Sequence, residues 1–284
     1  MNDARRLPYL LGAPALALFG FMVLLPLGLT ALLSFQQFNH ETGVQPGFTW
    51  AAYATVLGDP WYWGIFGRTA WIALLATALC IVIGVPEAYI LSRMRTPWRS
   101  IFLLVILAPL LVSVVVRAFG WSLVLGPTGF VNRFFEAVGV GSVRMLYTPA
   151  AVVVALVHVM LPFMVIPVWT SLQKLDPMVE NAALSLGAAR ATVLRRVVLP
   201  QVLPGVLSGG LIVFALSASA FAIPGLLGGR RVKMVATLIY DQYLQELNWP
   251  LGAAIALALL VLNLAIMLGT QALVESAYRK RMGA

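Results

Sequence analysis

Long apolar runs, separated by short polar stretches rich in arginine, set the pattern of this chain. A helix needs about 20 consecutive apolar residues to cross roughly 30 Å of hydrocarbon. Six runs meet that length: Tyr9 to Phe35, Thr69 to Ser92, Ile101 to Leu125, Pro149 to Leu172, Val206 to Leu227 and Leu251 to Ser276. Between the fourth and fifth lies Val179 to Gly205, the most polar and basic segment that separates two such runs. Within it, Glu180 to Ala191 is rich in Ala, Leu and Ser and lacks Pro, so a short helix is predicted there. Arg190, Arg195 and Arg196 then lead to Pro200 and Pro204, which are expected to end the segment before the next apolar run.

Composition agrees with that pattern. With 61% hydrophobic and 10% charged residues among 284, and a mean hydropathy of +0.93, the chain carries more apolar side chain than a soluble domain of its size could bury. The expected fold class is an all-α polytopic membrane protein with six transmembrane helices, forming a single transmembrane domain over residues 1–284 that includes a polar loop at 174–205. The first run, with Arg5 and Arg6 before it, extends past Pro26 to about Leu33, longer than a signal-peptide apolar region, and no clean small-x-small site precedes a polar domain, so it reads as a retained anchor. Cys80 is the only cysteine, which excludes an internal disulfide and argues against a cysteine metal site.

Charge then sets orientation. A cytoplasmic N-terminus puts twelve cations inside: Arg5, Arg6, Arg93, Arg95, Arg99, Lys174, Arg190, Arg195, Arg196, Arg279, Lys280 and Arg281. Six fall outside: Arg68, Arg133, Arg144, Arg230, Arg231 and Lys233. Both termini are therefore expected in the cytoplasm, and the net charge of +9 reads as a topology signal and not as nucleic-acid binding.

Few groups inside the runs carry chemistry. Glu87, near the inner end of the second run, reaches the cytoplasmic interface, pairs with Arg93 or Arg95, or takes a role in transport, the first two being favoured. Arg117 is the lone charge of the third run; it either lines a translocation path or forms a structural ion pair. His158 sits midway along the fourth run, before Pro162 and Pro167, as a packing histidine or a substrate contact; the only other histidine, His40, is in an outer loop, so no metal pair forms. Ser217, among the small residues Gly209, Gly210, Ala215, Ala218, Ser219 and Ala220, and Asn263 in the sixth run are further path candidates. The outer-loop rings Phe48, Trp50, Tyr53, Trp61, Tyr62, Trp63 and Phe66 suit an interfacial belt, a docking surface for another protein, or both. Leu207-Ser208-Gly209-Gly210 begins like an ATPase signature, but Leu211 follows and the chain has no GxxxxGK[ST] loop, so ATP binding by this chain is not expected.

The order Ala182-Ala183, Gly187-Ala188, Val197, Leu199-Pro200 and Pro204-Gly205 resembles the cytoplasmic EAA loop of the membrane subunits of bacterial ABC importers. In the usual register the acidic residue falls on Asn181, with Glu180 one position earlier. The resemblance implies a coupling helix that sits on an ATPase subunit, carried here by Glu180, Asn181, Ala182, Ala183, Leu186, Gly187, Ala188, Arg190 and Pro200, with a tight turn at Gly187. The segment VRAFGWSLVLGPTGFVN, which contains Arg117 and Trp121, and FAIPGLLGG, which begins at Phe221, resemble the polyamine-type branch; Ala220 stands where that branch commonly has an acid. Trp121 and Phe221 thereby join the path candidates, and a short surface helix is predicted within Val131 to Tyr147. The start Arg5-Arg6-Leu7-Pro8-Tyr9 looks like the first of two paired permeases.

The resemblance implies a bacterial inner-membrane importer for a small charged organic solute, with a polyamine as the default. Its expected partners are a second, non-identical permease, two ATPase subunits and a periplasmic binding protein. No cofactor is expected in this chain, ATP and Mg belonging to the ATPase. A secondary transporter or channel is the alternative, against which stand the lack of an inverted repeat and of clustered intramembrane carboxylates. No catalytic constellation is apparent.

Overall fold

The computed structural model describes residues 3–229 and 231–282, with the side chains of 3–11, 177 and 273–282 left undescribed. Arg230 and the side chains of Arg5, Arg6, Arg279, Lys280 and Arg281, all counted in the topology, lie outside that description. Six helices in the described residues are long and apolar enough to cross a membrane: Gly12–Ser34, Pro60–Arg93, Val114–Ala137, Pro149–Gln173, Arg190–Ala218 and Trp249–Ala272. The all-α, six-span reading of the sequence is thus found, and the described residues group into two compact units.

One unit comprises residues up to Gly64 together with Leu238–Gly269. It holds α1 (Asp3–Ser34), a small antiparallel hairpin of β1 (Gln37–Asn39) and β2 (Gly43–Gln45), and α2 (Ala51–Gly58). The hairpin was not foreseen, because three-residue strands around a turn leave almost no periodic signal. Phe35, Phe48, Trp50 and Tyr53 stack beside it, with Phe35 4.9 Å from both Phe48 and Trp50, and Ser34 Oγ shares a 2.8 Å hydrogen bond with the Tyr53 hydroxyl. The apolar side chains of α1 from Leu16 to Leu32 are largely exposed, as suits a helix that meets lipid or another chain.

The other unit, Ile65–Thr237 with Thr270–Ala284, contains the hydrophobic core. Most of α3 (Pro60–Arg93) belongs to it, as do α4 (Trp98–Leu107), α5 (Val114–Leu125), α6 (Phe130–Ala137) and α7 (Pro149–Gln173). The expected unbroken third run is in fact divided. A 3₁₀ turn at Ala108–Leu111 and extended backbone at Val112 separate α4 from α5. Pro109 weakens the helix here by bringing no amide to it, while Ala108 before it stays helical and the backbone turns extended only at Val112. The short helix expected after the third run is α6, which falls within the candidate span Val114–Ala137, and buried Asn132 ties its loop together, donating from Nδ2 to Gly126 O and accepting from Val143 N, both at 2.8 Å.

α7 is the central element, with thirteen buried residues between Ala151 and Leu172. It packs along α10 (Leu199–Ala218), which follows α8 (Pro177–Ser185) and α9 (Arg190–Val193). Two glycines permit close approach. A Cβ at Gly205 would stand 2.4 Å from Ser171 Oγ and 2.6 Å from Pro167 O, and one at Gly209 would stand 3.0 Å from the sulfur of Met164.

Pro200 and Pro204 do not end the polar segment, contrary to the sequence expectation, and the fifth span begins at Arg190 instead of Val206. Pro200 is the second residue of α10 and follows a wide helical turn directly, and Pro204 lies inside α10. Before them Leu194–Val198 forms a wide π-helical turn, closed by Leu199 N bonding Leu194 O. Buried Val193 and Val198 are five positions apart across this turn, and Val202 follows four later, so the wide turn keeps one buried stripe continuous from α9 into α10. The span also ends at Ala218 rather than Leu227; a second wide turn, Pro224–Gly228, follows it.

Candidate coupling segment and path residues

The segment after α7 begins with Asp176, whose side chain caps α8 by accepting from Met178 N at 2.9 Å. The predicted helix over Glu180 to Ala191 is split, since α8 stops at Ser185 and Gly187 adopts φ +81°, the left-handed conformation that glycine reaches without a steric penalty. Gly187 N and Ala188 N bond back to Leu184 O and Ala183 O, closing the tight turn expected there.

Glu180 faces the body of its own chain. Tyr89 Oη donates to Glu180 Oε1 at 3.0 Å, and Arg93 forms an ion pair and hydrogen bond with Glu180 Oε2. Arg93 was weighed as a partner for Glu87; it pairs with Glu180 instead, and Glu87 Oε2 is buried with no hydrogen-bond partner. Sequence reasoning missed Tyr89 and Arg93 as neighbours of this segment. The available signal was their spacing of four, which puts both on one face at the end of α3.

The opposite side of the segment is open. Asn181, Ala182, Gly187 and Arg190 are exposed, Ala183 and Ala188 half-buried. Met178 and Leu186 present large apolar side chains, Leu186 at 88% exposure. Pro200 is exposed at the start of α10.

Among the path candidates, three converge. Trp121 Nε1 donates to His158 Nδ1 at 3.1 Å, with the rings edge to face at 5.6 Å. Arg117 is one helical turn before Trp121 on α5, and its Nε and one terminal nitrogen are buried without a hydrogen-bond partner. Ser217 is buried near the end of α10 with its Oγ unpartnered, whereas Phe221 is exposed just beyond that helix. Asn263 lies on the last helix, Trp249–Met282, in the unit with α1. No three His, Cys, Asp or Glu side chains converge among the described residues.

Comparison with known proteins gives this geometry its family. The family of binding-protein-dependent transport system inner membrane components matches residues 7–279. The chain belongs to that family of ABC importer permeases. The spermidine/putrescine transport system permease protein PotB of Salmonella typhimurium is 32% identical over 238 residues, covering 83% of each chain. The molybdenum transport system permease protein ModB of Mycobacterium tuberculosis is 36% identical over 195 residues, covering 69% of this chain and 72% of that one. A crystal structure of a bacterial ABC transporter that imports the acidic polysaccharide alginate shares the fold, with a TM-score of 0.76 at 17% identity over 96% of both chains. The sequence resemblance to polyamine-type importer permeases is thereby borne out, and the chain is a multi-pass permease of an inner-membrane family.

Proposed function

We propose that this permease moves a small charged organic solute, a polyamine by default, inward across the bacterial cytoplasmic membrane, powered by ATP hydrolysis in a separate subunit. Both termini face the cytoplasm in this reading. The chain pairs with a second, non-identical permease, two ATPase subunits that bind ATP and Mg, and a periplasmic binding protein.

The observation that carries the ATPase assignment is the two-sidedness of residues 176–190. One side is capped and ion-paired to its own chain, while the other presents Met178 and Leu186 to solvent. A capped, pinned helix with unburied apolar side chains suits docking in a groove of another protein. Motion of α8 would pass through α9 and the wide turn into α10, whose glycines lock it against α7. Closure of the ATPases then changes the side to which the cavity opens, because ATP stabilises one of the two arrangements more than the other. Arg117, Trp121, His158, Ser217, Phe221 and Asn263 are the residues assigned to the path.

Polyamine as the default rests on the kinship with PotB, and the presence of Ala220 in place of an acid leaves other charged solutes in contention. The test is ATP hydrolysis by the chain co-purified with its partner subunits in lipid, with and without loaded binding protein. Stimulation by one loaded binding protein supports the reading and names the solute. Failure of any ATPase subunit to co-purify with folded chain refutes it and moves a secondary transporter into first place.

A further inference from the structure

Beyond the open docking face, the buried face of α8 carries a device of its own. Glu180 accepts from Tyr89 and pairs with Arg93, so two residues of α3 grip one carboxylate of α8. The Arg93 guanidinium also lies 5.3 Å from the centre of the Tyr89 ring, which orients it toward the same carboxylate. Ion pairs on an open surface contribute little, but the Glu180 side chain is only 15% exposed, and two donors share it. The chain between α7 and α8 is short, Lys174 to Asp176, and Gly187 bounds the helix on its other side. Without a lateral contact, α8 could swivel about these two ends.

We propose that Tyr89 and Arg93 are positioning residues that clamp α8 to the end of α3 through Glu180, so that a push on the docking face moves α3 with α10 instead of rotating α8 in place. Glu180 thus acts inward, within its own subunit, and exposed Asn181 is left for the partner. This inference rests on the coupling role proposed above for α8.

The test uses the full chain in nanodiscs, as wild type, Arg93→Ala, Glu180→Arg and the reversed pair Arg93→Glu with Glu180→Arg. Hydrogen exchange of the α8 amides, measured without any ATPase, is expected to accelerate about threefold to tenfold in each single variant and to recover at least half of that protection in the reversed pair. The assembled transporter, containing the ATPases and binding protein, then gives solute moved per ATP hydrolysed. That ratio is expected to fall severalfold in Arg93→Ala with the ATPase still bound, and to recover in part in the reversed pair. Unchanged exchange in Arg93→Ala overturns the clamp. Faster exchange with an unchanged ratio overturns its role in coupling. Loss of ATPase binding by wild type refutes the coupling reading instead, and the exchange measurement still decides whether the clamp exists.

Discussion

Replacing Gly205 by alanine tests the α7–α10 contact at its tightest point. The added methyl would meet Ser171 Oγ at 2.4 Å, Pro167 O at 2.6 Å and Ser171 Cβ at 2.9 Å. The serine hydroxyl can rotate away, but the Pro167 carbonyl is backbone, so relief requires the helices to part. A gap of about 0.5–1 Å forfeits a quarter to half of the dispersion energy of the atoms that face it. Overpacking of this kind costs about 1–3 kcal/mol, against a gain of up to about 1 kcal/mol when alanine replaces glycine in a helix. Gly210, five positions on, is the internal control: its Cβ would meet Thr77 Cγ2 at 3.8 Å and Ile81 Cδ1 at 4.0 Å, ordinary contact distances. Thermal unfolding in lipid at one fixed scan rate should show Gly205→Ala lowered by about 3–6 °C and Gly210→Ala equal to wild type or higher. Adding Ser171→Ala to Gly205→Ala should rescue only part of the loss, since the carbonyl clash persists. If Gly205→Ala matches wild type, or Gly210→Ala falls equally, the close packing described here is wrong.

Other perturbations follow from single contacts. Asn132→Ala leaves Val143 N without its partner and Gly126 O with Gly129 N alone, and should cost about 1–3 kcal/mol, read as faster proteolysis in the loop after α6. Gly187→Arg imposes a side chain at φ +81° in open space, so it should spare membrane insertion yet uncouple transport from hydrolysis; normal uptake would count against the coupling role. Trp121→Phe removes the bond to His158, worth about 0.5–1.5 kcal/mol, and should slow uptake severalfold without loss of assembled protein. Arg117→Ala should also change uptake kinetics with assembly intact; unchanged kinetics would leave Arg117 a structural residue.

The number of spans and their helical type were legible in the sequence because a membrane demands length and apolarity, and both can be read directly. Boundaries were less legible where proline had two possible meanings. Pro109 interrupts its run, whereas Pro200 opens a helix and Pro204 is absorbed inside one. Which outcome holds depends on packing against α7, and no window of sequence contains that information. The turn at Gly187 was readable because glycine has a local reason to be there. The partner of Glu180 was not, since Tyr89 and Arg93 lie about ninety positions away and only the folded chain brings them together. Arg117, Trp121 and His158 were each singled out for a separate reason, and their convergence likewise required tertiary structure.

The wide turn at Leu194–Val198 makes the joint between α9 and α10 a matter of phase. Each residue advances an α-helix by about 100°. Deleting one residue there would let the turn tighten to an ordinary α-helix without breaking the buried stripe of α10 against α7. Val193 and Val198 would then lie four positions apart instead of five, which in an α-helix again puts both on one face, so the segment before the turn would keep its orientation. Removing a second residue has no such outlet and would turn everything upstream by about 100°. The joint therefore tolerates a change of one residue in chain length, because the extra residue is stored in the wide turn and not in the direction that Met178 and Leu186 face.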